Sequence, residues 1–484
     1  MPIQFWITFG YVGVAIAIGV TSARGRIMSK VEEWGLAGHA MGFMVMYFLN
    51  AAGIISAFSM LGAPGFAYVH GVAICYLVIY VALQEIIAFY VAPKVWEMGF
   101  RMGHLTQAQA VAERYESPFL GAAFAVVTSF GLIAYAVTQA MGCAYVLNAV
   151  SGGRLSMGLG TSIVMVSMAA YIFIGGMRAI GWTNVFQGIL MFVMAWVAGI
   201  WVAKAAFGSW WFGEIFRSVA ENSPKHLTLP GPMGAWSYRF FSSSIIVSTL
   251  SVWPTGWVWW MGAKDLKVLR RSITLMPLFL FILIPTLSLG FAAITLTPGL
   301  KAPDQAALTM ANAYLPPILA GLLGAGVLAA AMSSAEPCLH VTALTYAVDV
   351  ISPVAKLPKE KCAKLARALT VVVALCIVLP LALLRPASLV YVTLIGYGFL
   401  GQSFPALMGV LFWRWATRMG ALSGLLVGFA VTTALSVTRI HPMRIHAGAW
   451  GLAANFAVFL IVSYFTGSQR KATGRFFPHL KRRP

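Results

Sequence analysis

The sequence predicts an all-α polytopic membrane protein with about 13 transmembrane helices. Composition is the first reason. Of 484 residues, 60% are hydrophobic and only 10% are charged, against about 25% charged in soluble domains. The second is the recurrence of apolar runs of roughly 20 residues from end to end, each long enough to cross the hydrocarbon core. A membrane β-barrel would instead show alternating segments of about 10 residues. The third is the placement of the basic residues, which collect in alternate loops.

The expected spans are 3–22, 42–69, 71–93, 118–148, 157–175, 182–206, 236–261, 273–297, 312–350, 368–384, 389–412, 420–438 and 446–466. The first apolar run lacks a basic flank on its N-terminal side, so it reads as a genuine span and not a cleaved signal. The segment at 207–235 is the longest outside loop, and Trp210, Trp211 and Phe212 at its start suit an interfacial anchor. The 351–367 loop is lysine-rich and expected to be solvated. Cys75, Cys143, Cys338, Cys362 and Cys376 lie in or beside apolar runs without CxxC spacing. They read as packing residues, not a disulfide frame or a metal site.

The formal net charge of +20 would suggest nucleic acid in a soluble chain. Here it is explained by topology. Arg24, Arg26 and Lys30 fall in one loop. Lys94, Arg101 and Arg114, then Arg178, then Lys264, Lys267, Arg270 and Arg271 fall in loops on the same side. Lys356, Lys359, Lys361, Lys364 and Arg367, then Arg414 and Arg418, and finally the 467–484 tail with Arg470, Lys471, Arg475, Lys481, Arg482 and Arg483 follow them. The side rich in Lys and Arg is cytoplasmic by the positive-inside rule. The N-terminus is then outside and the C-terminus inside, as an odd number of spans requires. The expected partners are the bilayer and a small-molecule solute, with no nucleic acid.

Two spans carry helix breakers at mid-membrane. The 42–69 segment holds Asn50, Gly53, Ser56, Gly62 and Pro64. The 236–261 segment holds Ser242, Ser243, Ser244, Ser248, Ser251, Pro254 and Gly256. Interrupted helices in corresponding positions of two halves point to a transporter site. Five spans separate them, giving halves of 42–206 and 236–412, with 3–22 in front and the two helices of 420–466 behind. An odd repeat length places the halves in opposite orientations, the inverted-repeat arrangement of alternating access.

The 328–337 stretch (LAAAMSSAEP) puts Ser333, Ser334, Glu336 and Pro337 in an apolar span. Polar groups at that depth need partners, because no water satisfies them. Residues three and four apart share a helix face, so the Ala330 carbonyl and the two hydroxyls can converge. An ion path is one reading. Helix packing, or hydroxyls bonding back to their own helix, is the other.

Several stretches resemble the sodium:solute symporter family. Residues 175–187 (GGMRAIGWTNVFQ) resemble its GG-x-RA-x-x-x-TD-x-x-Q segment. Residues 404–428 (FPALMGVLFWRWATRMGALSGLLVG) resemble its late FPAL…LFW…T…GA…G segment. Residues 52–65 resemble its broken first core helix, and Ala330-x-x-Ser333-Ser334 resembles its sodium-site helix. The resemblance implies a five-plus-five inverted-repeat transporter core in a bacterial inner membrane. It implies a Na+ site from the Ala52, Ile55 and Ala330 carbonyls and the Ser333 and Ser334 hydroxyls. Neutral oxygens of this kind suit a hard monovalent cation. The substrate would sit at the breaks, with Ser56, Phe58, Gln139, Ser251, Trp253 and Gln402 as candidate lining residues.

The chain departs from the family in two linked places. Asn184 stands where the family carries an acid, and Glu336-Pro337 stand where it carries small hydroxyl residues. Asn184 and Glu336 are therefore coupling candidates, with the carboxylate moved from one core helix to its neighbour. Glu336 could pair with a cation or carry a proton, which would give a proton-coupled or mixed carrier. A solvated structural acid near the cytoplasmic vestibule is the plainer alternative. Glu85, mid-span, is a functional or a structurally paired acid. Trp257, Trp259 and Trp260 fit an interfacial belt or a substrate gate. His441 and His446 read as a solvated outside loop. No basic residue is placed in the core to clamp a dianion, which favours a monocarboxylate or zwitterion.

The overall expectation is sodium-coupled symport of a small organic solute, monocarboxylate or amino-acid-like, and not an enzyme. No HExxH or clustered base and nucleophile is present. A membrane sensor without transport is the remaining rival.

Overall fold

The computed structural model describes residues 1–25, 28–384, 387–467 and 475–477. Most of the basic tail, with Arg470, Lys471, Lys481, Arg482 and Arg483, lies outside the described residues, as does Arg26. The described chain is helical apart from a single parallel bridge between Met41 and Ala263. Nine of its helices are long and apolar enough to cross a membrane, or ten if the bent pair Leu389–Gly401 and Phe404–Leu411 counts as one span. Each expected segment has a helical counterpart. The smaller number arises because the expected 157–175 and 182–206 spans run on as Met157–Phe207, two helices joined across a non-helical Gly176, because Phe58–Met102 joins the second half of the first broken helix to the span after it, and because the second broken helix is too short in pieces to qualify.

Both breaks are present, and of the breakers in the first span Gly53 and Ser56 mark the break, not Pro64. Phe43–Ala52 ends at Gly53, and helical structure resumes at Ala57, runs through a π-helical turn over Phe58–Gly62 and continues as Ala63–His70. Helical structure passes through Pro64, just after the π-helical turn, so the proline does not break the helix. The break is Gly53 to Ser56. A Cβ at Gly53 would lie 2.5 Å from the Leu49 carbonyl oxygen and 2.7 Å from the Trp259 ring, so only glycine fits. The second broken helix is Gly234–Thr249, an extended stretch, then Pro254–Gly262.

The two broken helices run antiparallel. Where the first begins, the Met41 amide donates to the Gly262 carbonyl at 3.1 Å, and the Lys264 amide returns a bond to Met41 at 3.0 Å. Where the first ends, Phe66 packs edge-on against Phe241 of the second at 4.2 Å. Opposite direction is the relation that two inverted halves require.

The kink in Met157–Phe207 gives the GGMRAIG stretch a structural purpose. Gly176 takes φ 50°, a conformation that other residues enter at a cost. The short helix Val31–Leu36 seats against it. Trp34 donates its indole N–H to the Ile172 carbonyl at 3.2 Å, and Arg178 pairs with Glu33 while donating to Ala37 O at 3.1 Å.

Two loop expectations change. The 207–235 connection is partly helical, with Gly213–Asn222 packing Ile215 and Val219 into the core. His446 is buried and caps Ala447–Thr466, its Nδ1 accepting the Gly448 N–H at 3.1 Å.

Candidate functional site

The helix Pro317–Thr345 runs through the centre of the molecule, with every residue from Leu323 to Thr345 buried. It packs against Pro118–Val150, Met157–Phe207 and Ile3–Ser22. Its serine pair faces the first break. Ser333 Oγ lies 3.0 Å from the Ala52 carbonyl and 3.0 Å from the Ala330 carbonyl. Ser334 Oγ donates to Gly53 O at 2.9 Å and to Ile55 O at 3.2 Å. All five residues expected to hold Na+ therefore meet in one place. Gly53 adds a sixth oxygen that the sequence did not single out.

The break explains the convergence. Unwinding at Gly53–Ser56 releases carbonyls that a continuous helix would consume, and in an apolar setting each needs a partner. The serine hydroxyls provide those partners across the interface. A hydroxyl that donates to one carbonyl keeps two lone pairs, so a cation could share this oxygen set with both serines rotated. The donor set contains no formal charge, which suits Na+ and not a divalent ion.

Beside this cluster is a central cavity of ≈ 80 Å3. Its wall comes from both breaks. Asn50, Gly53 and Ile54 contribute from the first, and Thr249, Ser251, Val252, Trp253, Thr255, Gly256, Trp259 and Trp260 from the second. Ser334, Pro337, Cys338, Tyr135, Tyr397 and Glu85 complete much of it. Ser334 and Gly53 thus belong to both the oxygen cluster and the cavity wall.

Of the six candidate lining residues, Ser251 and Trp253 border the cavity. Ser251 Oγ reaches Val247 O at 2.8 Å and Tyr397 O at 3.3 Å. Ser56 and Phe58 are buried beyond it. Gln139 holds the first broken helix: its Oε1 accepts the Ala57 N–H at 2.8 Å, satisfying the amide with which helical structure resumes. Gln402 faces Ala447–Thr466, donating to Gly448 O at 3.2 Å and taking an Asn455 amide N–H at its backbone carbonyl at 2.8 Å. Tyr135, Tyr397 and Asn50 are wall residues that sequence reasoning did not name. Asn50 ties the two breaks together, accepting the Trp260 indole N–H at 3.3 Å.

Glu336 turns away from the serine pair. It is fully buried, which overturns the solvated-vestibule alternative. Gln187 Nε2 donates to its Oε1 at 2.8 Å, Thr183 Oγ1 to its Oε2 at 2.7 Å, and Tyr171 OH also to Oε1. These three donors come from the kinked helix. Asn184 is one residue from Thr183, donating Nδ2 to Ile180 O at 2.9 Å. The side-chain oxygens of Asn184 and Gln187 are buried without a partner among the described residues.

On the His70 side of the cavity the path is closed by rings. Phe66, Phe241, Tyr76, Tyr80 and Tyr397 are all buried, and Tyr80 and Tyr397 share a hydroxyl–hydroxyl bond of 2.9 Å.

Residues 34–428 match the model of the sodium:solute symporter family. The chain belongs to that family. An uncharacterized symporter of Bacillus subtilis (strain 168) is 27% identical over 96% of this chain and 98% of its own length. The sodium/pantothenate symporter of Escherichia coli (strain K12) is 26% identical, covering 96% of each chain. A solved structure of a Na+-coupled sialic acid symporter, described as substrate-bound and outward-open with a novel Na+ site, superposes with a TM-score of 0.75 at 16% identity, over 96% of this chain and 98% of that one. This last likeness establishes the fold. As a member of the sodium:solute symporter family the chain is a multi-span membrane transporter, not an enzyme.

Proposed function

We propose that this protein is a sodium-coupled symporter that moves a small organic solute, monocarboxylate or amino-acid-like, into the cell by alternating access. The observation that carries the reading is the double membership of Ser334 and Gly53. Each takes part in the oxygen cluster and borders the cavity. A cation held by Ala52, Ile55, Ala330, Ser333 and Ser334 would fix the first broken helix against Pro317–Thr345. It would thereby set the shape of the wall that the solute meets. Coupling of that kind is reciprocal, so the solute must also raise affinity for the cation.

The repeats are assigned to 42–206 and 236–412, with the antiparallel breaks in support. The N-terminus is placed outside and the C-terminus in the cytoplasm of a bacterial inner membrane, on the distribution of Lys and Arg. The test is uptake and counterflow of labelled solutes by proteoliposomes, with an inward Na+ gradient against choline. Na+-driven accumulation is expected. Ligand binding without counterflow would favour a sensor instead.

A second reading concerns Glu336. A buried carboxylate with three donors and no cationic partner among the described residues is costly unless a cation or proton joins it. The unpartnered Asn184 and Gln187 oxygens nearby favour a coupling role, giving a mixed or proton-coupled carrier.

A further inference from the structure

Glu85 lies on the long helix Tyr76–Met102 and borders the central cavity. It is 9% exposed. Among the described residues no donor or cation meets its carboxylate. It is also the only charged residue on the cavity wall, which carries no Lys, Arg or His. The contrast with Glu336 is direct. Both acids are buried in the apolar core, yet Glu336 has three donors and Glu85 has none.

We propose that the cavity selects a solute bearing a protonated amine, with Glu85 as its counter-charge and the rings of Tyr135, Trp253, Trp259, Trp260 and Tyr397 around it. A carboxylate in an apolar setting is strongly unfavourable without an opposite charge, and the described residues supply none. An ammonium group entering with the solute would. Aromatic rings add attraction for cations, tryptophan most of all. Tyr135 and Trp253 meet edge-on at 4.8 Å and Trp253 and Tyr397 at 5.5 Å, so three of these rings form one packed group on the wall of the cavity that Glu85 also lines. A simple carboxylate anion would instead meet a like charge. The inference rests on the symport reading and narrows it, from monocarboxylate or amino-acid-like solutes to amine-bearing ones. The cavity's small volume limits them to compact molecules.

The experiment uses the purified full-length protein in saturating Na+ and measures thermal stabilisation by matched pairs. Alanine, proline, 4-aminobutyrate and ethanolamine are compared with propionate, cyclopentanecarboxylate, butyrate and ethylene glycol. Stabilisation is expected from at least one amine-bearing member and not from its partner. Glu85→Gln should weaken that binding by at least about tenfold, while stabilisation by Na+ alone stays as in the unchanged protein. The inference is overturned if the amine-free partners bind equally well, if no amine-bearing probe stabilises the protein, or if a folded Glu85→Gln keeps full affinity. Should Glu85→Gln not fold, the pairwise preference of the unchanged protein decides. Amine preference that does not depend on Na+ would contradict symport and leave the role of Glu85 standing.

Discussion

Ser334 Oγ lies 2.9 Å from the carbonyl oxygen of Gly53, 281 residues earlier in the chain. That one bond joins a helix break to the central helix, and both residues border the central cavity. A change in either partner is felt by the other, which is the physical requirement for coupling two cargoes.

Glu336→Gln tests the second cation or proton route. The amide preserves size and its one carbonyl oxygen can still accept from Tyr171 and Gln187, but it loses the acceptor facing Thr183 and removes the charge. If Glu336 takes part in coupling, uptake falls by at least about tenfold and its dependence on Na+ or external pH changes. Uptake that remains Na+-dependent and insensitive to pH would assign Glu336 a purely structural role. Titrating both cations against initial uptake rates decides the matter.

Tyr80→Phe should loosen the aromatic closure. Loss of the Tyr80–Tyr397 hydroxyl bond removes about 1 kcal/mol, or roughly a fivefold shift toward states open on the His70 side. The check is the labelling rate of Thr249→Cys, a cavity position, by a membrane-impermeant thiol reagent. The background must lack the five native cysteines, since Cys338 also borders the cavity. An unchanged rate would show that these rings do not gate.

Asp304 gives a pH-dependent prediction outside the membrane spans. Its Oδ2 accepts the Leu389 N–H at 3.1 Å, and burial pushes its carboxyl above the usual range despite that bond. A raised folded value means the protonated form is favoured on folding. The associated stability is present below the unfolded value and lost as pH rises through the folded one. Asp304→Asn keeps an acceptor for Leu389 and drops the charge. It should melt at a higher temperature than the unchanged protein at pH 7, with the gap closing toward pH 4. A lower melting temperature at pH 7 would contradict this.

Much of the fold was legible because the bilayer enforces it. An apolar run of the right length has few structures open to it, and each expected segment found a helical counterpart. Exact joints were less readable. The first span offered five breakers from Asn50 to Pro64, and only the structure shows that the break is Gly53 to Ser56 while the helix passes through Pro64. Gly176 divides Met157–Phe207 into two helices, at the joint between the expected 157–175 and 182–206 spans.

The oxygen cluster was legible from family pattern and helix spacing together, since Ala330, Ser333 and Ser334 share a face. The same spacing does not place Glu336. Three residues advance a helix by about 300°, leaving some 60° between the two side chains, and in this packing that is enough to point Glu336 at the kinked helix instead. Gln139 and Gln402 illustrate a different limit. A glutamine in an apolar span must find partners, but sequence does not say whether these are a solute or a backbone carbonyl.

The most direct measurement is the Na+ dependence of uptake in Ser334→Ala. The substitution removes one oxygen of the cluster and leaves the Gly53 and Ile55 carbonyls in place. The Na+ concentration for half-maximal uptake should rise by at least about tenfold, with the maximal rate largely recovered at saturating Na+. An unchanged Na+ dependence, in a variant that folds and transports, would contradict the assignment of this oxygen cluster as the coupling site.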